Sequence, residues 1–447
     1  MMTETLSPIR LNCVSEANRL SLKQDPGTNR FEILDDKTGQ TLGSILRDPA
    51  SPHEVELYCG KGGFMAMISA PNGLLYFALP GSLVKLPDLE LNLPGNRFAS
   101  SPDKQPSPKR TVTPQTFTNQ ATILGAGLAT RFERISGEST HCSKPGVPLV
   151  GNRTVIECIA NMLALHGFTR LLVNTYFKPD SVKDSLSRSD AREVLYIDEN
   201  EPSGTAGGLR KMLLDSRHQG LLDESKPLLV VQGDAVTDAD FSALMAVHVA
   251  HDALITIGCQ FVNEEDVDKF GIIVTDRSGT DGESGKIIGF QEKPPRALAK
   301  SRLANTGFYI LSPKAYPVIR EIYQDKLDQS RQKARQAGGP VPEEIAFDFA
   351  NDIFPAVLER VQADPALGDF RAETVAGYWS DIGNPRQYIE SIHDIYAGKV
   401  NIPLPDMSEL YYHGGVIFWE GAMQPAMQEH AKLEGNIVVA RPYPPAK

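Results

Sequence analysis

The chain has little of what would place it in several broad classes. It has no run of about eighteen apolar residues, so no membrane-spanning helix is expected. It has no long Lys/Arg block: 45 Lys and Arg face 56 Asp and Glu, a formal net charge of -11. Such a surface repels phosphodiester polymers, and no nucleic-acid partner is expected. Cysteine is scarce: Cys13, Cys59, Cys142, Cys158 and Cys259 are odd in number and form no C-x-x-C pair. That argues against a disulfide framework and against a zinc site. No Gly-Lys-Ser/Thr occurs, which excludes a Walker loop. Met1 to Leu11 contains Glu4 and Pro8 and no apolar stretch, so no signal peptide and a cytoplasmic location are expected.

What is present is globular. Of 447 residues, 41% are hydrophobic and 23% charged, and the length exceeds one ordinary core, so two or three domains are expected. Residues 1–97 read as a β-rich domain. Phe31 to Leu34 and Thr41 to Leu46 flank a turn, and Phe64 to Ser69 and Leu74 to Leu79 flank Asn72-Gly73. Residues 98–120 are rich in Ser, Pro, Thr, Lys and Gln, as an extended linker is.

From residue 121 the rhythm changes. Ala121 to Leu124, Leu171 to Asn174, Val194 to Ile197, Leu228 to Gln232 and Leu254 to Cys259 are short apolar runs separated by helix-like segments. Thr154 to His166 is amphipathic at helical spacing and stops at Gly167. This alternation predicts an α/β domain over 121–397, with a Rossmann-like, twisted, mostly parallel sheet and helices on both faces. Past residue 260 the pattern is mixed, with apolar runs at Gly271 to Thr275, Lys286 to Gln291 and Asn305 to Leu311. Residues 325–342 read as an exposed excursion, charged and then Gly-Gly-Pro-rich. Residues 398–447 read as a docked arm, a dimer contact in a homo-oligomer, or two faint β-helix coils at Val416 to Ala422 and Ala431 to Ala440.

Three segments carry candidate chemistry. Gly125-Ala126-Gly127-Leu128-Ala129-Thr130-Arg131 follows a strand. Glycines let backbone N–H groups approach phosphate oxygens, and an arginine adds charge-assisted bonds. A purely structural turn explains the glycines equally well. A dinucleotide-binding turn does not fit, because Thr130 replaces the third glycine and Asn174 and Tyr176 stand where an acid is expected. Lys144-Pro145 lies just before the 154–166 helix and can return a second cation to the same phosphates. Asp234 ends an apolar strand as Gly233-Asp234, where a carboxylate serves as a Mg²⁺ ligand or as a helix cap. Asp381, in Trp379-Ser380-Asp381-Ile382-Gly383, is an available partner.

Taken in order, these segments resemble the sugar-1-phosphate nucleotidyltransferase (nucleotide-sugar pyrophosphorylase) family. Its motifs appear as Gly127 to Arg131, Lys144-Pro145, Gly204-Thr205-Ala206-Gly207, Gly233-Asp234, Glu292-Lys293-Pro294, Asn305-Thr306-Gly307 and Trp379 to Gly383. The resemblance implies a nucleotide-diphospho-sugar transferase fold and an enzyme that joins an NTP to a sugar-1-phosphate, releasing pyrophosphate. It implies that Gly127, Thr130 and Arg131 hold the triphosphate, that Gly125 and Ala126 are nucleotide-binding beside them, and that Lys144 stabilises the transferring phosphate. By the same resemblance Asp234 and Asp381 coordinate Mg²⁺, Gly204 and Thr205 belong to the base loop, Glu292 and Lys293 bind sugar hydroxyls and sugar phosphate, and Gly271 and Asn305 line the sugar pocket.

Glu199 to Gly207 resembles the base loop of mannose-1-phosphate guanylyltransferases, which points to GTP and mannose-1-phosphate, with UTP and glucose-1-phosphate next. A carboxylate can accept two bonds from the N–H donors of guanine, whereas uracil presents one N–H between two carbonyls. Glu199 as a solvated loop acid stays open. Two departures bear on activity: Ala129 replaces a usual glycine, and the loop 132–143 is long and carries Glu133 and Glu138. A catalytically weak regulatory paralogue that binds nucleotide sugars is the alternative reading.

Overall fold

The computed structural model describes residues 9–13, 20–51, 53–60, 63–69, 75–78, 82–86, 88–93, 112–127, 143–150, 153–218, 220–279, 284–383, 385–396 and 399–403. It also describes four short strands, Tyr412–His413, Val416–Trp419, Ala431–Glu434 and Ile437–Ala440.

A nine-stranded sheet forms the centre of the α/β region. The strands Glu193–Asp198, Arg170–Thr175, Gln120–Leu124 and Leu228–Gln232 lie side by side and parallel. Leu303–Leu311 then enters antiparallel between Leu228–Gln232 and Ala253–Phe261. Ala253–Phe261 is parallel to Asp369–Thr374, and the antiparallel hairpin of Gly271–Thr275 and Gly285–Glu292 closes the far edge. The sheet is therefore parallel in one half and mixed in the other. Apolar runs buried on both faces read alike in either direction, so only the connections set their polarity.

Side chains alternate between two cores. Ala121, Ile123, Leu171, Val173, Leu229 and Val231 face the helices Val155–Leu165, Phe241–Ala250 and Pro385–Tyr396. Leu172, Leu228, Val230, Tyr309 and Leu311 face Gly207–Leu214, Ala315–Gln336 and Phe354–Ala363. The period-two alternation of a strand produces this division. The helix over 155–165 starts where expected, because the Thr154 side chain accepts from the Glu157 N–H, and it stops at Gly167, whose φ is +92°. Part of the expected excursion at 325–342 is instead helix: Ala315–Gln336 continues unbroken, and its last turns are solvent-facing. Lys and Gln sustain such an exposed end without an apolar stripe.

Both expected N-terminal pairings form, Arg30–Asp35 with Thr41–Arg47 and Gly63–Ser69 with Leu75–Ala78. The chain's tail joins these strands. Val416–Trp419 pairs antiparallel with Leu75–Ala78, and Ile437–Ala440 pairs parallel with Ser82–Leu86. The result is one six-stranded and one seven-stranded sheet built from both ends of the chain, around Ile33, Ile45, Val55, Leu57, Ile68 and Leu91.

Candidate active site

Several of the expected site residues lie at the carboxyl ends of adjoining parallel strands, where ligands bind in open α/β sheets. Gly125 follows Gln120–Leu124, and Gly233 follows Leu228–Gln232. Gly233 N–H donates to Leu124 O at 2.9 Å, and a Cβ on Gly233 would stand 2.6 Å from that oxygen. A Cβ on Gly125 would stand 2.9 Å from Asn174 O. Both glycines are required by close backbone approach. Gly127 has open space around its Cα, and Ala126 is half-buried beside it. Thr130, Arg131, Ala129, Glu133 and Glu138 lie outside the described residues.

Lys144 is buried, and its loop is pinned to the start of the Val155–Leu165 helix. Ile156 N–H donates to Pro145 O at 2.9 Å and Val155 N–H to Val147 O at 2.9 Å. The Lys144 amine lies 2.5 Å from Asp234 Oδ2 and 3.7 Å from Asp381 Oδ1. The two aspartates meet because Ala235–Thr237 pairs antiparallel with Trp379–Asp381, in a register that sets Ala235 opposite Asp381. Both stay partly exposed, at 31% and 45% of their side chains, so an incoming ion can reach them.

The pair fits Mg²⁺. Carboxylate oxygens are hard donors, and their joint attraction for a cation is visible in the lysine amine that stands between them. Among the described residues no cluster of three or more His, Cys, Asp or Glu could hold a metal. A site of two carboxylates completed by substrate phosphates and water is the ordinary arrangement for this ion.

Glu292, Lys293, Gly271 and Asn305 also come together. Gly271 pairs with Glu292 across the edge hairpin, and a Cβ on Gly271 would lie 3.1 Å from Glu292 Oε2 and 4.0 Å from Asn305 Cβ. The Lys293 amine bonds the Glu292 carboxylate, and both side chains are exposed. Lys293 itself has φ +44°, a left-handed conformation unusual for a side-chain-bearing residue, which fits a functional position. Asn305 Oδ1 accepts from Gly307 N–H at 2.9 Å, and its Nδ2 donates to Tyr309 OH at 3.3 Å. Gly307 has φ +80° and packs on Gln232, so this patch touches the strand that ends in Gly233-Asp234. Trp379 Nε1 donates to Thr306 O at 3.1 Å, and its ring lies 5.4 Å from Phe270. The indole thus ties the Asp381 strand to the Asn305 turn.

The segment Ser203 to Ala206, expected to form the base loop, is strapped down by residues 344–349. Phe347 N–H donates to Ser203 O and Ala206 N–H to Phe347 O, both at 2.9 Å. Thr205 N–H donates to Asp348 Oδ2 at 3.1 Å, Phe349 N–H to Thr205 Oγ1 at 3.0 Å, and Arg210 to Glu344 at 2.7 Å. Gly204 has φ +87°, and a Cβ there would stand 2.3 Å from Phe347 O. Glu199 is buried, not solvated, and accepts from Asn174 Nδ2 at 2.8 Å and from Ser203 Oγ. Sequence reasoning missed Asn174, Asp348 and the strap. Asn174 lies near the carboxyl end of Arg170–Thr175, and a polar residue there is the signal that points to it.

A family model described as Nucleotidyl transferase matches residues 120–398. The UTP--glucose-1-phosphate uridylyltransferase of Synechocystis sp. is 28% identical over 334 residues, 72% of this chain and 73% of that protein. The glucose-1-phosphate adenylyltransferase of Thermotoga neapolitana is 27% identical over 286 residues, 61% of this chain and 59% of that protein. A crystal structure of UDP-glucose pyrophosphorylase complexed with UDP-glucose aligns with TM-score 0.46 and 18% identity, covering 62% of this chain and 98% of that one. Among the described residues no helix is long and apolar enough to cross a membrane. With the family model spanning the whole α/β region, the chain belongs to the nucleotidyl transferase family, that of the sugar-1-phosphate nucleotidyltransferases.

Proposed function

We propose that this chain transfers a nucleotidyl group from GTP to mannose-1-phosphate, giving the nucleotide sugar and pyrophosphate. The observation that carries a transfer reaction is the buried Lys144 amine set between Asp234 and Asp381. A sugar-phosphate oxygen attacks the α-phosphorus as the bond to the bridging oxygen of pyrophosphate breaks. Two anions must approach, so catalysis is mainly positioning and charge neutralisation. Mg²⁺ held by Asp234 and Asp381 supplies part of that neutralisation when bound.

In this reading the Lys144 amine turns from its carboxylates to the α-phosphate, while Gly125, Ala126, Gly127, Thr130 and Arg131 hold the triphosphate. Gly271 and Asn305 line the sugar pocket, Glu292 accepts from sugar hydroxyls, and Lys293 neutralises the sugar phosphate. Gly204 and Thr205 shape the base loop and Glu199 reads the base. An ionised carboxylate offers about four lone-pair positions. The bonds from Asn174 and Ser203 leave it capacity for guanine's two N–H donors. A second reading, UTP with glucose-1-phosphate, is favoured by the name of the Synechocystis relative.

The test offers each NTP with mannose-1-phosphate or glucose-1-phosphate and Mg²⁺, reading pyrophosphate release. Turnover with GTP and mannose-1-phosphate ahead of the other pairs is expected. A preference for UTP overturns the base assignment, and no turnover with any pair alongside tight nucleotide-sugar binding establishes the regulatory reading.

A further inference from the structure

We propose that Asn174 is a positioning residue that locks the phosphate loop and the base loop into one unit, through the two ends of a single side-chain amide. Its Oδ1 accepts from Gly125 N–H at 3.0 Å, at the root of the glycine loop. Its Nδ2 donates to Glu199 Oε1 at 2.8 Å, and Ser203 Oγ holds the other Glu199 oxygen. Asn174, Glu199 and Ser203 are 3%, 7% and 8% exposed, so water does not substitute freely for these bonds.

The partners fix the orientation of the amide. Gly125 N–H can only donate and therefore faces the oxygen, while Glu199 Oε1 accepts and therefore faces the nitrogen. No apolar residue of this size satisfies both, and an aspartate satisfies only the first. Core packing alone explains Leu171, Leu172 and Val173 in the same strand, but it does not explain a buried amide whose donor and acceptor end on two different ligand-binding loops. The fit is tight from a third side, since a Cβ on Gly208 would lie 2.8 Å from Asn174 Cβ and 3.2 Å from its Nδ2. Triphosphate and base positions are thereby coupled: a shift of Glu199 pulls on Gly125, and a nucleotide must fit both loops at once.

The inference rests on the reading of Glu199 as the base-contacting residue, and the experiment separates the two. Nucleotide affinity for each NTP is measured by calorimetry, and KM and kcat for NTP and sugar phosphate are measured in wild type, Asn174→Asp and Glu199→Ala. Asn174→Asp keeps the acceptor for Gly125 but sets a second carboxylate against Glu199. We expect NTP affinity to fall about tenfold or more, with discrimination between bases reduced by a similar factor. KM for the sugar phosphate is expected to stay within about twofold even though a second buried carboxylate lowers thermal stability, a split that a general loss of packing does not produce. If the aspartate variant does not fold, Gly208→Ala, one residue beyond the Gly204 to Gly207 segment, presses on the same amide and should move the same quantities in the same direction. Lost discrimination in Glu199→Ala with none in Asn174→Asp or Gly208→Ala overturns the brace alone. Unchanged discrimination in all of them overturns the base-reader assignment and the brace with it.

Discussion

Asp234 and Asp381 stand beside one lysine amine because a three-residue ladder sets Ala235 opposite Asp381 and Thr237 opposite Trp379. The ladder is short and its register is fixed by few bonds. Trp379 anchors it through its bond to Thr306 O, and Ile382 N–H reaches back to Asp234 O at 3.4 Å. Charge geometry at the centre of the site therefore depends on residues that need not touch a substrate.

Removing either carboxylate's charge should abolish most turnover. Asp234→Asn and Asp381→Asn are each expected to lower kcat by about two orders of magnitude or more while the protein stays folded. Pyrophosphate release is the assay, with circular dichroism as the folding control. Excess EDTA should have the same effect on wild type, reversed by Mg²⁺.

In the proposed reading the lysine between the carboxylates competes with the ion. Lys144→Met should bind Mg²⁺ about tenfold more tightly than wild type without nucleotide, a difference of about 1.4 kcal/mol, and yet turn over more slowly. Calorimetric titration with Mg²⁺ alone checks the first half. Weaker ion binding in the variant would show that the amine supports the site instead of competing for it.

The Lys293 side chain is exposed and its amine bonds the carboxylate of its neighbour Glu292, so its charge can reach a ligand. Lys293→Ala should raise KM for the sugar phosphate about tenfold or more, with a smaller change in KM for NTP. Equal changes in both constants would remove it from the sugar-phosphate side.

Gly307→Ala meets two obstacles at once, a φ of +80° and a Cβ only 2.2 Å from Gln232 Cγ. A loss of about 1–3 kcal/mol in urea unfolding is expected, together with a raised KM as the Asn305 turn moves. Gly127→Ala, with nothing within 4 Å, is expected to leave stability unchanged within about 0.5 kcal/mol.

Stability should fall in mild acid. Burial lowers the His248 imidazole to about 4, and burial lowers His166 as well. The unfolded rings take up protons near pH 6.5 while the folded ones resist, so stability is full above that pH and is lost as pH falls toward the folded value. His248 alone should account for about 2 kcal/mol between about pH 7 and pH 5. His248→Gln should flatten the pH dependence of urea unfolding; an unchanged slope would assign the acid sensitivity elsewhere.

The sequence by itself determined the α/β alternation, the ends of the Val155–Leu165 helix and the order of the motifs. Those are local requirements: apolar period, a Thr154 cap, and glycines at Gly125, Gly233 and Gly307 where backbones crowd or φ is positive. The direction of Leu303–Leu311 was not legible, because a strand buried on both faces has the same pattern either way. Nor was the helical course of 325–336, whose charged surface resembles that of a loop. Tertiary structure alone decided that Asp234 meets Asp381, that the tail completes the N-terminal sheets, and that Asn174 joins two loops. Each is a pairing between residues distant in sequence, and neither member carries a local pattern that names the other. A strand ladder or one shared amide is satisfied only when the chain has closed on itself, and that closure is what brings the site into being.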